Sequence, residues 1–431
     1  MSHTIQNFDA LAENDLRRDA LAIAEAGLAA IDISDAFKRT LTIGGDELRI
    51  GDTAYPLAGR RIYFVGVGKC AFAGAAAIEH LLGDRLTGGV ALDVSTGEQT
   101  NLKLKTIETY VGTHPLPSET NEDATKRILE FLSGRTEDDL VLMLISGGGS
   151  TLLCAHEKPM TCADEVVLWN ELTAKGATIQ DINTVRKHTS RARGGGLAAA
   201  AYPAEVVSLI VSDVPGNDIA HIASGPTVLD ASTVEDARAV LTHYGIATTG
   251  TAFLETPKEQ KYFERIANIL FLSNEDALSA MQEEAGQRGY AVTVVDDHFS
   301  GEAREVGRAV SQTLASTPAK TALLYAGEST VTLLGPHGVG GRNQEMALAA
   351  LNELDAGELI LPFASDGRDN TDSAGAIGDE TTRAHAFARN ISIEEHLEGH
   401  RAYDFFTATG DALVTGYTGT NVSDLIIALK K

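Results

Sequence analysis

Glycine-rich segments follow several apolar runs in this chain, and one of them has the composition of an anion-binding loop. Ser146-Gly147-Gly148-Gly149-Ser150 comes directly after a continuous apolar run. Three consecutive glycines let backbone N–H groups approach an anion without obstruction by side chains. The segment therefore predicts a loop that binds nucleotide phosphates, with a tight turn that merely needs positive φ as the alternative. It lacks the lysine of a P-loop, so a Walker-type NTPase is not indicated.

A second glycine-rich segment leads into a predicted helix and carries a cation. Gly340 and Gly341 stand immediately before Arg342 and Asn343. A planar, permanently charged guanidinium beside the N–H groups of a helix start suits a carboxylate or a transferring phosphoryl group. We therefore expect Gly340, Gly341 and Asn343 to contact the nucleotide. Arg342 is expected to be catalytic, with a solvent-facing arginine as the alternative.

Lys69 is a further cation in a position that favours an anionic ligand. It lies just beyond an apolar run, in the first turn of a predicted helix. The positive end of a helix dipole disfavours an ammonium group there unless an anion is close by. Lys69 is therefore predicted to be catalytic, against the alternative of a surface lysine whose aliphatic part packs on the protein.

Carboxylates also follow predicted strands in both halves of the chain, namely at Asp213, Glu328, Asp366, Asp369 and Asp372. Hard oxygen ligands of this kind hold the Mg2+ of a nucleotide or accept a hydroxyl proton, although a single one is more often a turn former or a helix cap. The working assignment makes Asp213 catalytic and Glu328 and Asp366 metal ligands, and their roles are not ranked further. His114 and His188 are interpreted as cleft or structural residues.

The elements that must position these residues alternate between apolar runs and helical segments. Buried strands are predicted at residues 61–67, 89–94, 140–145 and 205–211, and helices at 71–82 and 121–132. Such alternation predicts an α/β fold with a parallel sheet, in which ligands bind beyond the carboxyl ends of the strands. Since 431 residues exceed what one core usually supports, we expect two domains, 1–258 and 259–431. As an alternative for the last strand, we consider that it packs on the first domain.

Composition disfavours several classes of partner. The 35 basic and 60 acidic residues give a formal charge of -25, which repels phosphate backbones and anionic membrane surfaces, so neither nucleic acid nor a membrane is expected. Cys70, Cys154 and Cys162 form an odd set without CxxC spacing, which favours buried thiols in a reducing compartment over a disulfide framework or structural zinc. The sequence has no apolar targeting or spanning run, and we expect a cytoplasmic protein.

Several segments resemble, in the same order, the glycerate 2-kinase family that carries a C-terminal MOFRL domain. They are LISGGGSTLL, NTVRKH, SDVPGNDIAHIASGPT, GESTVTLLGPHGVGGRNQEMAL, ASDGRDNTDSAGA and TGYTGTNVSDL, preceded by VGKCAFAGAA and THPLPSETN. The resemblance implies a Rossmann-like N-terminal domain, a smaller α/β MOFRL domain and an active site in the cleft between them. It also implies phosphorylation of the 2-hydroxyl of D-glycerate by ATP with Mg2+. The family's active-site lysine and arginine fall on Lys69 and Arg342, and a homodimer is a further expectation.

The sequence departs from the family pattern at three places. Arg193 and Gly196 stand where the family has a lysine and an arginine, Asn370 lies in a segment that is one residue shorter, and Tyr417 replaces a proline. These changes alter loops that are expected to shape the acceptor pocket. The identity of the hydroxy acid is therefore left open.

The main alternative function is that of an NAD(P)H-dependent hydroxypyruvate reductase. Gly66 to Ala71 match a GxGxxA turn after a predicted strand, and Asp93 ends the next strand, where it would bind a ribose. The fingerprint is interrupted by Lys69 and explains none of the later glycine loops, so the kinase is favoured. A non-catalytic protein that binds a small molecule is the third reading.

Overall fold

The computed structural model describes residues 3–94, 103–333, 335 and 337–431. Contacts within this part of the chain group it into two compact units. One unit is Ile33–Phe271, and the other joins the residues up to Asp32 to Leu272–Lys431. This grouping places the N-terminal helices in the same unit as the C-terminus. The domains 1–258 and 259–431 stay a prediction.

The first unit, Ile33–Phe271, is built on a parallel sheet. Its strands are β1 (Leu41–Gly44), β2 (Glu47–Ile50), β3 (Thr53–Pro56), β4 (Arg61–Val67), β5 (Leu86–Val94), β6 (Ile107–Gly112), β7 (Asp139–Ile145), β8 (Glu205–Val211) and β9 (Ile266–Leu272). The first three form a small antiparallel sheet, and the other six lie in the order β6-β5-β4-β7-β8-β9. Pairing is parallel from β6 through β8. Every residue of β7 is buried, as expected for a strand covered by helices on both faces.

Helices cover this sheet and set the direction of the loops at its edge. They are α3 (Ile33–Thr40), α4 (Ala71–Leu82), α5 (Glu119–Leu132), α6 (Gly149–Leu152), α7 (Cys162–Ala174), α8 (Ile179–Lys187), α9 (Gly196–Ala201) and α10 (Val234–His243). Helix α4 lies close against the sheet because Gly74 faces Leu144 of β7, and a Cβ at that glycine would overlap the leucine side chain. The predicted α/β class with a parallel, Rossmann-like sheet is confirmed.

The second unit contains a mixed sheet. Its strands are β10 (Ala291–Glu302), β11 (Thr321–Thr330), β12 (Glu358–Ala364), β13 (Gly375–Ala376), β14 (Gly378–Asp379), β15 (Ala412–Leu413) and β16 (Asp424–Lys430). The order is β10-β11-β16-β12-β13-β15, with β14 paired to β12. Among the described strands of this sheet, β10 and β11 pair in parallel and the other pairs are antiparallel. The last strand lies between β11 and β12, so it completes this sheet and does not extend that of the first unit.

Helices of the second unit come from both ends of the chain. They are α1 (Phe8–Leu11), α2 (Asp15–Ala30), α11 (Asn274–Gln287), α12 (Ala303–Ala315), α13 (Arg342–Ala350), α14 (Glu380–Ala388), α15 (Ile393–Glu398) and α16 (Ala402–Thr409). A buried ion-pair network attaches α2: Arg17 lies 2.6 Å from Asp379 and 2.8 Å from Asp411. Removing one partner of such a network leaves a buried charge unpaired, which costs several kcal/mol. None of the helices in the described ranges is both long and apolar enough to cross a membrane.

The cysteines differ from expectation in one respect. Cys70 is a buried free thiol, as predicted. Cys154 and Cys162 are joined as a disulfide with their Cα atoms 6.8 Å apart, so the expectation of buried thiols is wrong for that pair. An odd count does not prevent two of three cysteines from pairing, and eight positions of sequence separation allow the chain to fold back between them.

Candidate active site

The carboxyl ends of β4 and β7 bring Lys69 and the first glycine loop together. The two strands are parallel neighbours, so the residues that follow them lie side by side. The Lys69 N–H donates to the Gly147 carbonyl at 2.9 Å, and the Ser146 N–H donates to the Val67 carbonyl at 2.9 Å. Gly68 has a φ of +115°, and a Cβ there would overlap Ser146. A glycine is therefore required where the two loops cross.

Two further side chains pack against the loop. A Cβ added at Gly147 would overlap the Asp213 carboxylate, which follows β8. A Cβ added at Gly148 would lie 3.4 Å from Lys69 Cγ and 3.5 Å from His114 Cδ2. The structure thus gathers Lys69, Asp213 and the glycines at one edge of the sheet, as predicted from their positions after strands. His114 joins them from the loop after β6, a strand that the sequence pattern did not predict, and this position agrees with its interpretation as a cleft residue.

A chain of hydroxyl and amide groups supports the end of the loop. Ser224 Oγ lies 2.9 Å from Ser150 Oγ and 3.2 Å from Asn183 Oδ1. Ser224 has a φ of +59° and Ala223 a φ of +51°, values that are rare outside glycine. A Cβ at Gly149 would lie 2.5 Å from the Ala223 Cβ, so this turn packs directly on the loop. Strained backbone of this kind clusters at functional sites, and sequence reasoning did not single out Ser224 or Asn183.

Asp93 does not occupy the position of a ribose-binding acid. Its side chain is 1% exposed and accepts the N–H groups of Phe72 at 2.8 Å and Val94 at 2.7 Å. Burial raises the pKa of Asp93 to about 7. The carboxyl group therefore fills the start of α4, where a dinucleotide pyrophosphate would bind in a Rossmann site. This geometry counts against the nicotinamide-dependent alternative.

Arg342, in the second unit, is held by two carboxylates. Its Nε donates to Asp424 Oδ2 at 2.5 Å and its Nη2 to Asp424 Oδ1 at 3.1 Å, and its Nη1 bonds to Glu328. Burial alone would lower the pKa of Arg342, but Asp424 and Glu328 raise it overall. The guanidinium is therefore fixed in orientation and permanently charged. Asp424 lies within the segment TGYTGTNVSDL that carries the family resemblance, but its separation of 82 positions from Arg342 gives no sequence signal for this contact.

The start of α13 is capped from within the same unit. Asp369 accepts the N–H of Asn343 at 3.1 Å and that of Gln344 at 2.8 Å, and burial raises the pKa of Asp369 to about 7. The Asn343 N–H that was expected to meet a nucleotide is thus bonded to a carboxyl group here. A Cβ at Gly341 would overlap the Asp369 backbone and side chain, which accounts for that glycine by packing. Nucleotide contacts of Gly340, Gly341 and Asn343 stay predictions.

A cavity of about 510 Å³ lies in front of Arg342 within the second unit, a size suited to a small-molecule ligand. Its lining includes Ser329, Thr330, His337, Gly340, Gly341, Arg342, Asn370 and His400. Its lining also includes the Glu345 carboxylate and the apolar side chains of Val331, Leu333 and Val339, so a fixed cation faces both polar and apolar groups. Asn370, a departure from the family pattern, has a φ of +56° and lines this pocket directly.

The two carboxylates predicted as metal ligands have different surroundings. Glu328 bonds to Arg342, and its side chain is 48% exposed. Asp366 is 7% exposed and accepts the Arg368 N–H at 3.0 Å. Among the described residues, the groups of His, Cys, Asp and Glu that bring three ligand atoms together include neither of them. The described residues therefore do not provide three protein ligands for Mg2+ at Glu328 and Asp366.

A parallel α/β sheet whose strand ends carry a glycine loop, a lysine and an aspartate defines an enzyme that handles an anionic substrate. Residues 19–255 match a domain of unknown function, DUF4147, and residues 321–424 match the MOFRL family. A D-glycerate 2-kinase of Thermotoga maritima is 36% identical over 86% of this chain and 90% of its own length. An Agrobacterium vitis protein named "Putative hydroxypyruvate reductase" is 38% identical over 85% of this chain and 86% of its own length.

Solved structures agree with these matches. The crystal structure of a Thermotoga maritima glycerate kinase has a TM-score of 0.84 at 33% identity, covering 96% of this chain and 99% of that one. A Pyrococcus horikoshii protein has a TM-score of 0.79 at 32% identity, with 97% and 99% covered. The chain belongs to the glycerate 2-kinase family with a C-terminal MOFRL region, which confirms the resemblance carried by its motifs.

Proposed function

We propose that this protein is an ATP-dependent glycerate 2-kinase. It transfers the γ-phosphoryl group of ATP to the 2-hydroxyl of D-glycerate, or of a closely related hydroxy acid, and the product with D-glycerate is 2-phosphoglycerate. The observation that carries the proposal is the packing of Lys69 and Asp213 against the glycine loop after β7, in a chain similar to a D-glycerate 2-kinase over most of its length.

Phosphoryl transfer requires positioning and charge neutralisation more than covalent chemistry from the protein. The N–H groups of Gly147 to Ser150 are proposed to hold nucleotide phosphates, with the Lys69 ammonium neutralising charge beside them. Asp213 is proposed to accept the proton of the acceptor hydroxyl, since its carboxylate lies against the same loop. Arg342 is proposed as a second cation for the transferred group, a role taken from the family resemblance.

Mg2+ is proposed to enter with ATP, held by Glu328 and Asp366. Mg2+ in kinases is usually bound by one or two carboxylates together with substrate phosphates and water, so the absence of a three-ligand protein group around this pair is compatible with it. Glu328 is half exposed at the end of β11, where one carboxylate oxygen can reach a ligand. The ion would shield the charge of the phosphates while Arg342 keeps its orientation.

The acceptor pocket is where this chain departs from the family pattern. Asn370 lines the cavity in front of Arg342 and is proposed to influence which hydroxy acid is accepted. Arg193 is different, because its Nη2 bonds to the buried Glu165 at 2.9 Å. We therefore propose that Arg193 stabilises the fold. The residues that line the cavity in front of Arg342 are proposed to determine which hydroxy acid is accepted. Cytoplasmic location and a homodimeric state remain predictions, and light scattering during size-exclusion chromatography tests the second.

A direct assay separates the three functions considered. Purified protein is incubated with ATP, Mg2+ and D-glycerate, and ADP is measured together with the 31P spectrum of the product. A parallel reaction contains hydroxypyruvate and NADH or NADPH without ATP. A kinase releases ADP and forms 2-phosphoglycerate, a reductase consumes the reduced nicotinamide, and a binding protein does neither. Replacing D-glycerate by other three- and four-carbon hydroxy acids then defines the acceptor.

A further inference from the structure

Three metal-ligating side chains meet in the first unit at a place that the proposed reaction does not use. Cys154, His156 and Cys162 each place one ligand atom within 4.8 Å of the others. The His156 Nδ1 lies 3.5 Å from Cys154 Sγ. Both cysteines are buried, and the histidine side chain is fully buried. The cluster therefore offers two sulfur atoms and one imidazole nitrogen in a closed environment.

The histidine is oriented as metal-binding histidines usually are. Its Nε2 lies 2.8 Å from Glu165 Oε2, and Glu165 is itself held by Arg193 Nη2 at 2.9 Å. A carboxylate that accepts the second ring N–H fixes the tautomer and leaves the other nitrogen as an electron-pair donor. Here that other nitrogen is Nδ1, which faces the sulfur atoms. A buried histidine with a merely structural role does not require two cysteines at that nitrogen.

We propose that the reduced protein binds a thiophilic divalent cation, with Zn2+ as the representative, through Cys154, Cys162 and His156. A fourth ligand would come from α5 by rotation of Glu122, whose Oε2 lies 3.6 Å from Cys162 Sγ but outside the group in which the other three ligand atoms lie within 4.8 Å of one another. Two thiolates, an imidazole and a carboxylate form a tetrahedral donor set that suits Zn2+. The disulfide seen in this structure is the oxidised form of the same site, and it cannot hold the ion.

The disulfide converts to the metal-binding form by reduction followed by deprotonation of both thiols. A phosphine reductant transfers two electrons to the disulfide, takes its oxygen from water and leaves two thiols. Each thiol then loses its proton to solvent as its sulfur binds the cation, so two protons are released for each ion. Two thiolates on one Zn2+ are about 3.8 Å apart. The Cα separation of 6.8 Å lies at the wide end of the range for disulfides, roughly 4.4–6.8 Å, which leaves room for the sulfur atoms to part.

Other clusters in the described residues lack these features. In the group of Glu13, His385 and Asp411, the Arg17 guanidinium already donates to Asp411 at 2.8 Å. A fixed cation at that place excludes a second one. The group of Asp296, Asp297 and His298 lies near the surface and contains no sulfur. Only the Cys154 group combines burial, soft ligands and an oriented histidine, and the inference does not depend on the kinase activity.

The test uses the full chain, reduced with a phosphine and freed of metal. Co2+ is added, and thiolate-to-cobalt charge-transfer absorption is recorded, followed by competition with Zn2+. We expect one Co2+ per chain and displacement by Zn2+. The double variant Cys154→Ser with Cys162→Ser should lose the absorption, while Cys70→Ser, which removes the other thiol, should keep it.

His156→Ala separates a metal site from a simple disulfide. That variant keeps both cysteines and should still oxidise to the disulfide, but we expect its affinity for Co2+ to fall roughly tenfold or more. Absorption in the reduced parent no stronger than in the double serine variant would overturn the proposal and leave only a disulfide. So would an affinity that His156→Ala does not change. Circular dichroism of each variant shows whether it is folded.

Discussion

Asp424 fixes the guanidinium of Arg342 through two hydrogen bonds, from Nε at 2.5 Å and from Nη2 at 3.1 Å. The two residues lie 82 positions apart in the chain and meet because β16, which begins with Asp424, pairs with β11 beside the start of α13. Such a planar, two-point contact sets both the position and the direction of the cation. The catalytic role proposed for Arg342 therefore depends on a geometry that lysine cannot reproduce.

Arg342→Lys is expected to lower kcat/KM for ATP-dependent phosphorylation of glycerate roughly a hundredfold or more, because a charge clamp on the transferred group is worth several kcal/mol. The measurement is ADP release at saturating Mg2+. Arg308→Lys is the matched control, since Arg308 pairs with Glu305 on the exposed face of α12, and it should keep parental activity. A value for Arg342→Lys within about threefold of the parent contradicts the role.

Lys69→Met is expected to reduce kcat by roughly 10²–10³-fold while preserving the fold, since it removes the positive charge of a side chain whose Cγ packs on the glycine loop and keeps a side chain of similar length. Steady-state kinetics with ATP as the varied substrate measure the effect. Lys38→Met serves as control, because the Lys38 side chain is 65% exposed in a surface pair with Asp35. Equal kcat and equal KM for ATP in parent and Lys69→Met would remove Lys69 from the mechanism.

Much of the first unit follows from the pattern of the sequence. Continuous apolar runs predicted β4, β7 and β8, and the residues after them were expected to be functional because ligands bind at the carboxyl ends of parallel strands. Lys69, Asp213 and the glycine loop do lie together. His114 joins the same group from the loop after β6, although β5 separates β6 from β4 in the strand order. That order is a tertiary property, and periodicity does not encode it.

The second unit was harder to predict for physical reasons. Asp424 and Asp369 act on Arg342 and on the start of α13 from distant parts of the chain, so no local spacing signals the contacts. Strands β13, β14 and β15 have two residues each, too few to show alternation. The ion pairs through which Arg17 attaches α2 to the second unit could not be predicted either. An amphipathic pattern predicts a helix with one buried face but does not identify the residues against which that face packs.

Gly147→Ala tests the close approach of Asp213 to the glycine loop. The new methyl group would overlap the Asp213 carboxylate, so we expect a loss of activity of about tenfold or more and a destabilisation of roughly 1–3 kcal/mol. ADP release and thermal unfolding measure the two effects. Gly286→Ala is the control: its Cβ meets nothing within 4 Å at the end of α11, and a gain of up to about 1 kcal/mol is expected. If Gly147→Ala keeps parental activity, displacement of the Asp213 carboxylate has no effect on the reaction, and the proposed role of Asp213 as proton acceptor is contradicted.

Asp93 makes the stability of the protein depend on pH in a defined direction. Burial raises the pKa of this carboxyl group to about 7 from an ordinary value of 3.8. Between these two values the folded state holds a proton that the unfolded state has lost. The stabilisation is therefore complete below the unfolded pKa and is lost as pH rises through about 7.

Asp93→Asn removes this titration while retaining the shape of the side chain. The free energy of unfolding of the parent minus that of Asp93→Asn should fall by roughly 2–3 kcal/mol between about pH 5 and pH 8, since one pKa unit corresponds to about 1.4 kcal/mol. Urea denaturation at several pH values measures it. Asp84→Asn, at a side chain that is 97% exposed, should differ from the parent by less than about 0.5 kcal/mol throughout. A difference for Asp93→Asn that is constant or increases with pH would show that this carboxyl group is ionised in the folded protein.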